Sequence, residues 1–164
     1  MDDPKLYDLA YQAGKLLKSQ GWMLVTAESC TGGWVAKCIT DIPGSSEWFE
    51  RGFVTYGNLA KIEMLTVRRK TLEQYGAVSQ QTVAEMTAGA LAHSHARYAL
   101  AVSGIAGPAG GTPDKPVGTV WLAWQQRGKD CHTHLAHFQG NRESIRRQAV
   151  ALALQGILDG YGTD

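Results

Sequence analysis

A dominant charge, paired cysteines and long apolar runs are all missing from this sequence. With 16 Lys and Arg against 15 Asp and Glu, the formal net charge is +1, so there is no broad basic field of the kind that holds nucleic acid. The short basic runs Arg68-Arg69-Lys70 and Arg146-Arg147 read as solvated faces. The three cysteines, Cys30, Cys38 and Cys131, form no C-x-x-C pair and are odd in number, which gives no support to a disulfide framework or a zinc site and fits a reducing cytoplasm. No stretch approaches the roughly 20 apolar residues of a membrane span. The opening, with Asp2 and Asp3, lacks the basic and apolar regions of a leader. A soluble, cytoplasmic protein without nucleic-acid or membrane partners is expected.

What is present is ordinary globular composition, 44% hydrophobic and 19% charged over 164 residues, which predicts one domain spanning 1–164. Leu6, Leu9, Ala10, Ala13 and Leu17 recur at helical spacing up to Gly21. A short apolar run, Trp22 to Ala27, predicts a strand, and Val35, Cys38, Ile39 and Ile42 mark the inner face of the helix after it. Val83, Met86, Thr87 and Ala90 predict a second buried helix face, with Ser79 as its cap. Tyr98 to Ser103 reads as a strand. Val117 to Trp124 and Cys131 to Phe138 read as a hairpin, and Ile145, Ala149, Leu152 and Ala153 as the inner side of a closing helix. Helices alternating with short apolar strands predict an α/β fold, a three-layer α/β/α domain with a mixed sheet.

The chemistry is expected between Ile42 and Lys61, where a Ser pair, a Tyr and a Lys surround one short strand. Phe53-Val-Thr-Tyr56, bracketed by Gly52 and Gly57, predicts a buried strand. Asn58 is a good N-cap for a helix that would carry Lys61 in its first turn, where the positive helix end and desolvation both lower an amine's pKa. A neutral lysine can serve as a general base, and Ser46 is the candidate nucleophile. The plainer alternatives are that Ser45 or Ser46 caps a short helix, Tyr56 is a core residue and Lys61 is a surface charge.

Two further stretches are suited to anions. Glu28-Ser-Cys-Thr-Gly-Gly33 joins a strand to a helix start, where free N–H groups, the hydroxyls of Ser29 and Thr31, and the bare backbone of Gly32 and Gly33 could hold a ligand. Simple capping by Thr31 is the alternative, and Cys30 reads as a small buried residue. After Ser103, the loop Gly104-Ile-Ala-Gly-Pro-Ala-Gly-Gly-Thr-Pro-Asp-Lys-Pro116 is neither a Walker loop nor G-x-G-x-x-G. Its length and its Gly104, Gly107, Gly110 and Gly111 suggest a backbone cradle for a ligand. Arg142, at the start of the last helix, suits a phosphate. His132 and His134 share a strand face that His137 does not, so no metal site is expected.

Thr26-Ala-Glu-Ser-Cys-Thr-Gly-Gly33, Pro43-Gly-Ser-Ser46, Gly76-Ala-Val-Ser79, Gly104-Ile-Ala-Gly-Pro108 and Lys115-Pro-Val-Gly-Thr119 together resemble the CinA C-terminal domain family over nearly the whole chain. The resemblance implies hydrolysis of the carboxamide of nicotinamide mononucleotide to nicotinic acid mononucleotide and ammonia, in the recycling of pyridine nucleotides, without metal or other cofactor. It implies Ser46 as nucleophile, Lys61 as base and Tyr56 assisting, with Ser29 and Thr31 in the pocket and Arg142, with Lys115, on the 5′-phosphate. A homo-oligomer, a dimer in the first place, is expected.

The chain departs from the family pattern in one place. Typical members read Thr-Tyr-Ser-Asn-Glu-Ala-Lys where this one has Thr55-Tyr-Gly-Asn-Leu-Ala-Lys61, so a hydroxyl and a carboxylate are absent at Gly57 and Leu59. The alternative is therefore a catalytically weakened paralogue that binds a nucleotide or regulates.

Overall fold

A computed structural model of the protein describes residues 3–164; Asp2 lies outside them. Five strands form one sheet in the order β2-β1-β3-β4-β5. β1 (Leu24–Glu28) runs parallel to both β2 (Phe49–Val54) and β3 (Tyr98–Gly104), and β4 (Thr119–Gln126) and β5 (His132–His137) continue antiparallel. The mixed sheet with helices on both faces is the α/β architecture expected.

Alternation along the strands builds the two cores. Leu24, Leu100, Val102, Leu122 and Trp124 face α1 (Pro4–Gln20), α2 (Trp34–Thr40) and α6 (Arg142–Leu158), whereas Val25, Ala27, Ala99, Ala101 and Ala123 face α3 (Asn58–Leu65), α4 (Arg69–Tyr75) and α5 (Gln80–Ala92). The alanines on the second face let α5 lie close to the sheet. Helix α3 is equally close to α5, since a Cβ on Gly89 would stand 1.8 Å from the Leu65 carbonyl oxygen. On the first face Asp3 caps α1 through Leu6 N and pairs with Arg147 at 2.5 Å, tying α1 to α6. Every residue named above for the leading helix is buried, as are Val83, Met86, Thr87 and Ala90 of α5, which Ser79 caps through Thr82 N. Leu152 of α6 is only partly buried, while Val150 and Leu154 are fully so.

The strand expected over Phe53–Tyr56 is displaced. It begins at Phe49, contains Gly52 and ends at Val54, and it is an outer strand with β1 as its one neighbour, so Val54 is 47% exposed rather than buried. Asn58 does not cap α3: Gly57 holds that position, and Asn58 is the first helical residue. On β5, His132 stacks on Tyr161 with centroids 4.1 Å apart. Among the described residues no group of three or more His, Cys, Asp and Glu is placed to hold a metal ion, and no helix is long and apolar enough to cross a membrane.

Candidate active site

Three parallel strands point their C-terminal ends to one side, and the chain leaves β1 toward β2 on one flank while β3 lies on the other. Ligands of such sheets bind in the crevice where the strand order reverses. Here that crevice is a cavity of about 300 Å³ between the turn after β1, the segment after β2 and the loop after β3.

Ser29 follows β1 directly and is fixed by its N–H to Val102 O at 2.9 Å. Lys61 reaches it from the first turn of α3. Its Nζ lies 2.9 Å from Ser29 Oγ, 2.8 Å from Thr55 O and 3.0 Å from Tyr56 O, and the residue is 1% exposed. Among the described residues no carboxylate bonds it, and burial lowers its pKa to about 8. In the charged form the three N–H groups donate to Ser29 Oγ, Thr55 O and Tyr56 O; once the proton is lost, two N–H groups stay on the carbonyls, which can only accept, and the lone pair is left for the Ser29 hydroxyl. The other acceptor for that hydroxyl, Tyr56 O, is farther away at 3.4 Å.

Ser46 is elsewhere. It is exposed, in the 3₁₀ turn Ser45–Glu47 that precedes β2, whereas Lys61 sits beyond the other end of that strand. Six residues of strand at about 3.3 Å each separate the two by roughly 20 Å. The expected Ser46–Lys61 pair is thus corrected by strand direction: the lysine meets the serine after β1, not the one before β2.

The anion site expected at the start of α2 is also filled. Glu28, 1% exposed, points its carboxylate at that helix end and accepts from Val35 N at 2.9 Å, Ala36 N at 3.0 Å and Thr31 Oγ1 at 2.6 Å. A carboxylate on the first N–H groups neutralises the positive helix end. Thr31 is fully buried in this arrangement, and Gly32 and Gly33 stay outside the cavity.

The remaining expected residues divide. Tyr56, Asn58, Ser103, Gly104, Gly107, Gly110 and Arg142 line the same cavity as Ser29 and Lys61, but Gly111 does not. Gly111 is turned toward Val117, whose N would stand 2.8 Å from an added Cβ. Lys115 Nζ is tied to Tyr75 O at 2.6 Å, away from the cavity. Ser103 is 1% exposed, and its hydroxyl has no hydrogen-bond partner among the described residues. Arg142 spans the mouth, with Nη1 on Gly107 O at 2.9 Å and Nη2 on Tyr56 Oη at 3.2 Å. The departures from the family pattern face outward: Leu59 is 59% exposed, and a Cβ on Gly57 would meet nothing within 4 Å.

Sequence reasoning missed Glu28 and Arg146. Arg146, one turn after Arg142, donates to Cys30 O at 3.0 Å and Thr31 O at 3.2 Å and lies 5.4 Å over the Trp34 ring. The signals available were the carboxylate immediately before Ser29 and the i, i+4 arginine pair opening the last helix. Cys30 lines the cavity as well, but burial pushes its thiol up to about 12, so it stays protonated at neutral pH.

Residues 6–160 match the family model described as CinA C-terminal domain. The chain is 56% identical over 157 residues to the nicotinamide-nucleotide amidohydrolase PncC of Escherichia coli K12, covering 96% of this chain and 95% of that one. It is 52% identical over 156 residues to the protein of the same name from Pseudomonas putida, covering 95% and 96%. In three dimensions it resembles the competence/damage inducible protein CihA of Agrobacterium tumefaciens, with a TM-score of 0.94, 43% identity and 97% of each chain covered.

Proposed function

Since the chain belongs to the CinA C-terminal domain family, we propose that its cavity hydrolyses the carboxamide of nicotinamide mononucleotide, with Ser29 as nucleophile and Lys61 as general base. The observation that carries this reading is the Lys61 amine, buried, held by two carbonyls and aimed at Ser29 Oγ. Lys61 takes the Ser29 proton as Oγ attacks the amide carbon. The lysine returns that proton to the amide nitrogen, the C–N bond breaks, and ammonia leaves behind an ester on Ser29. A water then gives its proton to Lys61 and attacks the ester, releasing nicotinic acid mononucleotide and restoring the serine.

Oxyanion donors come from backbone N–H groups. The first is that of Cys30, which follows the nucleophile at a strand-to-helix turn, the position such donors occupy in other serine hydrolases. The loop after β3 supplies the other. Because Glu28 occupies the α2 start, the 5′-phosphate falls to Arg142 at the cavity mouth, next to Tyr56. Ser103, with a free hydroxyl in the wall, hydrogen-bonds the substrate.

The test is ammonia and nicotinic acid mononucleotide release by purified protein, beside folded Ser29→Ala and Ser46→Ala variants. Loss in the first and retention in the second is expected. Turnover retained by Ser29→Ala would end the proposal.

A further inference from the structure

A second cavity, of about 380 Å³, opens at the other end of the sheet. The first cavity takes Ser103 and Gly104 at the end of β3, and this one takes Tyr98 at its beginning. Its floor is a cross-strand pair, Tyr98 on β3 opposite Gln126 on β4. Leu17 of α1 and Ile157 of α6 form apolar walls. Trp22 closes one side, its ring 6.0 Å from that of Tyr98. In volume this suits a small molecule, and its lining is mixed, with Gln20, Lys129 and Thr163 beside the apolar and aromatic walls.

Gln126 is the anomaly. It is 6% exposed, on the face of β4 that elsewhere carries Val120, Leu122 and Trp124. Its side-chain amide has no hydrogen-bond partner among the described residues, and it lines the cavity. The Tyr98 hydroxyl is already committed to Tyr161 O. Thr26 Oγ1 is the fully buried side-chain polar atom without a partner among the described residues, so the Gln126 amide is not sealed in the core but meets the cavity, with its donor and acceptor open to a ligand. Its donor and acceptor, side by side above an aromatic floor, match one ligand chemistry. We infer that this cavity binds a planar heteroaromatic ring bearing an amide-type edge, a carboxamide or a lactam, which lies against Trp22 and Tyr98 and forms paired hydrogen bonds with Gln126.

The test uses nicotinamide as the probe and 3-methylpyridine, the same ring without the amide, as control. Binding is followed calorimetrically and through the Trp22 indole N–H resonance, identified by its loss in Trp22→Phe. Saturable nicotinamide binding that shifts this resonance is expected. It should persist in Lys61→Met, whose catalytic cavity is altered, and weaken by roughly tenfold in Gln126→Leu and Gln126→Glu, since one buried hydrogen bond is worth about that much. The Glu variant keeps the shape of Gln126 but exchanges its donor for a second, charged acceptor, whereas the Leu variant removes donor and acceptor without adding charge. Ammonia release should be unchanged in both. Absence of saturation at millimolar probe, equal binding of 3-methylpyridine, undiminished binding by both Gln126 variants, or loss of binding in Lys61→Met would each overturn the inference. The readout is binding, so it stands whether or not the chain hydrolyses the mononucleotide.

Discussion

Lys61 Nζ and Ser29 Oγ, 32 residues apart in sequence, lie 2.9 Å apart in the structure, with no carboxylate among the described residues bonded to the amine. The pair is set by geometry before any substrate arrives. Its consequences can be measured.

The working form of Lys61 is the neutral amine, and burial lowers its pKa to about 8. Ammonia release should therefore rise with pH to a half-maximum near that value and level off above it. Lys61→Arg, which stays protonated, and Lys61→Met should fold and lose at least about 100-fold in rate, the usual worth of a general base. The sign for stability follows from linkage: between about 8 and 10.5 the unfolded lysine holds a proton that the folded one has released. Wild-type stability should accordingly rise with pH across that window relative to Lys61→Met, as read by denaturant titration. A flat pH–rate profile would remove Lys61 as base.

Ser29→Ala and Ser46→Ala separate the two serines. The first should lower kcat by at least about 100-fold. The second alters an exposed turn residue and should change stability by no more than about 0.5 kcal/mol, with activity intact. Reversal of this order would return the nucleophile to Ser46.

Arg142→Ala should act on the phosphate. A charge-assisted hydrogen bond is worth about 1.5–3 kcal/mol, so kcat/KM for the mononucleotide should fall roughly 10- to 100-fold. The riboside, which has no phosphate, should already be a poor substrate and lose little more. Equal losses on both substrates would place the phosphate elsewhere.

Thr26→Val probes an inherited defect. Thr26 Oγ1 is the buried side-chain oxygen without a partner among the described residues, and it lies beneath Gly52, where an added Cβ would stand only 2.7 Å away. Replacing an unpaired hydroxyl by a methyl of similar size should leave stability unchanged or raise it by up to about 1 kcal/mol. Gly52→Ala should lower it. Thermal melts of both variants decide, and a clear loss in Thr26→Val would mean that the hydroxyl is satisfied in solution.

Much of the fold was legible because burial leaves a period. The stripe from Leu6 to Leu17, the α5 face at Val83, Met86, Thr87 and Ala90, and the run Tyr98–Ser103 each announce their element. The serine that meets Lys61 is not the one nearest to it in sequence, for a physical reason. Ser46 is the nearer to Lys61 along the chain, but β2 runs between them and carries them apart, while the parallel neighbour β1 delivers Ser29 to the same edge. Short-range clustering does not see strand direction. Likewise, a helix start reads as an anion site until Glu28, from the preceding strand, is found on it.

The arginine pair of α6 fastens the turn after β1 through Arg146 and the loop after β3 through Arg142. This helix is synthesised after every strand of the sheet and after both of those loops. Ser29 itself is held within the sheet, by its N–H on Val102 O, so what waits for α6 is the rim: until that helix docks, the carbonyls of Cys30, Thr31 and Gly107 lack their arginine donors.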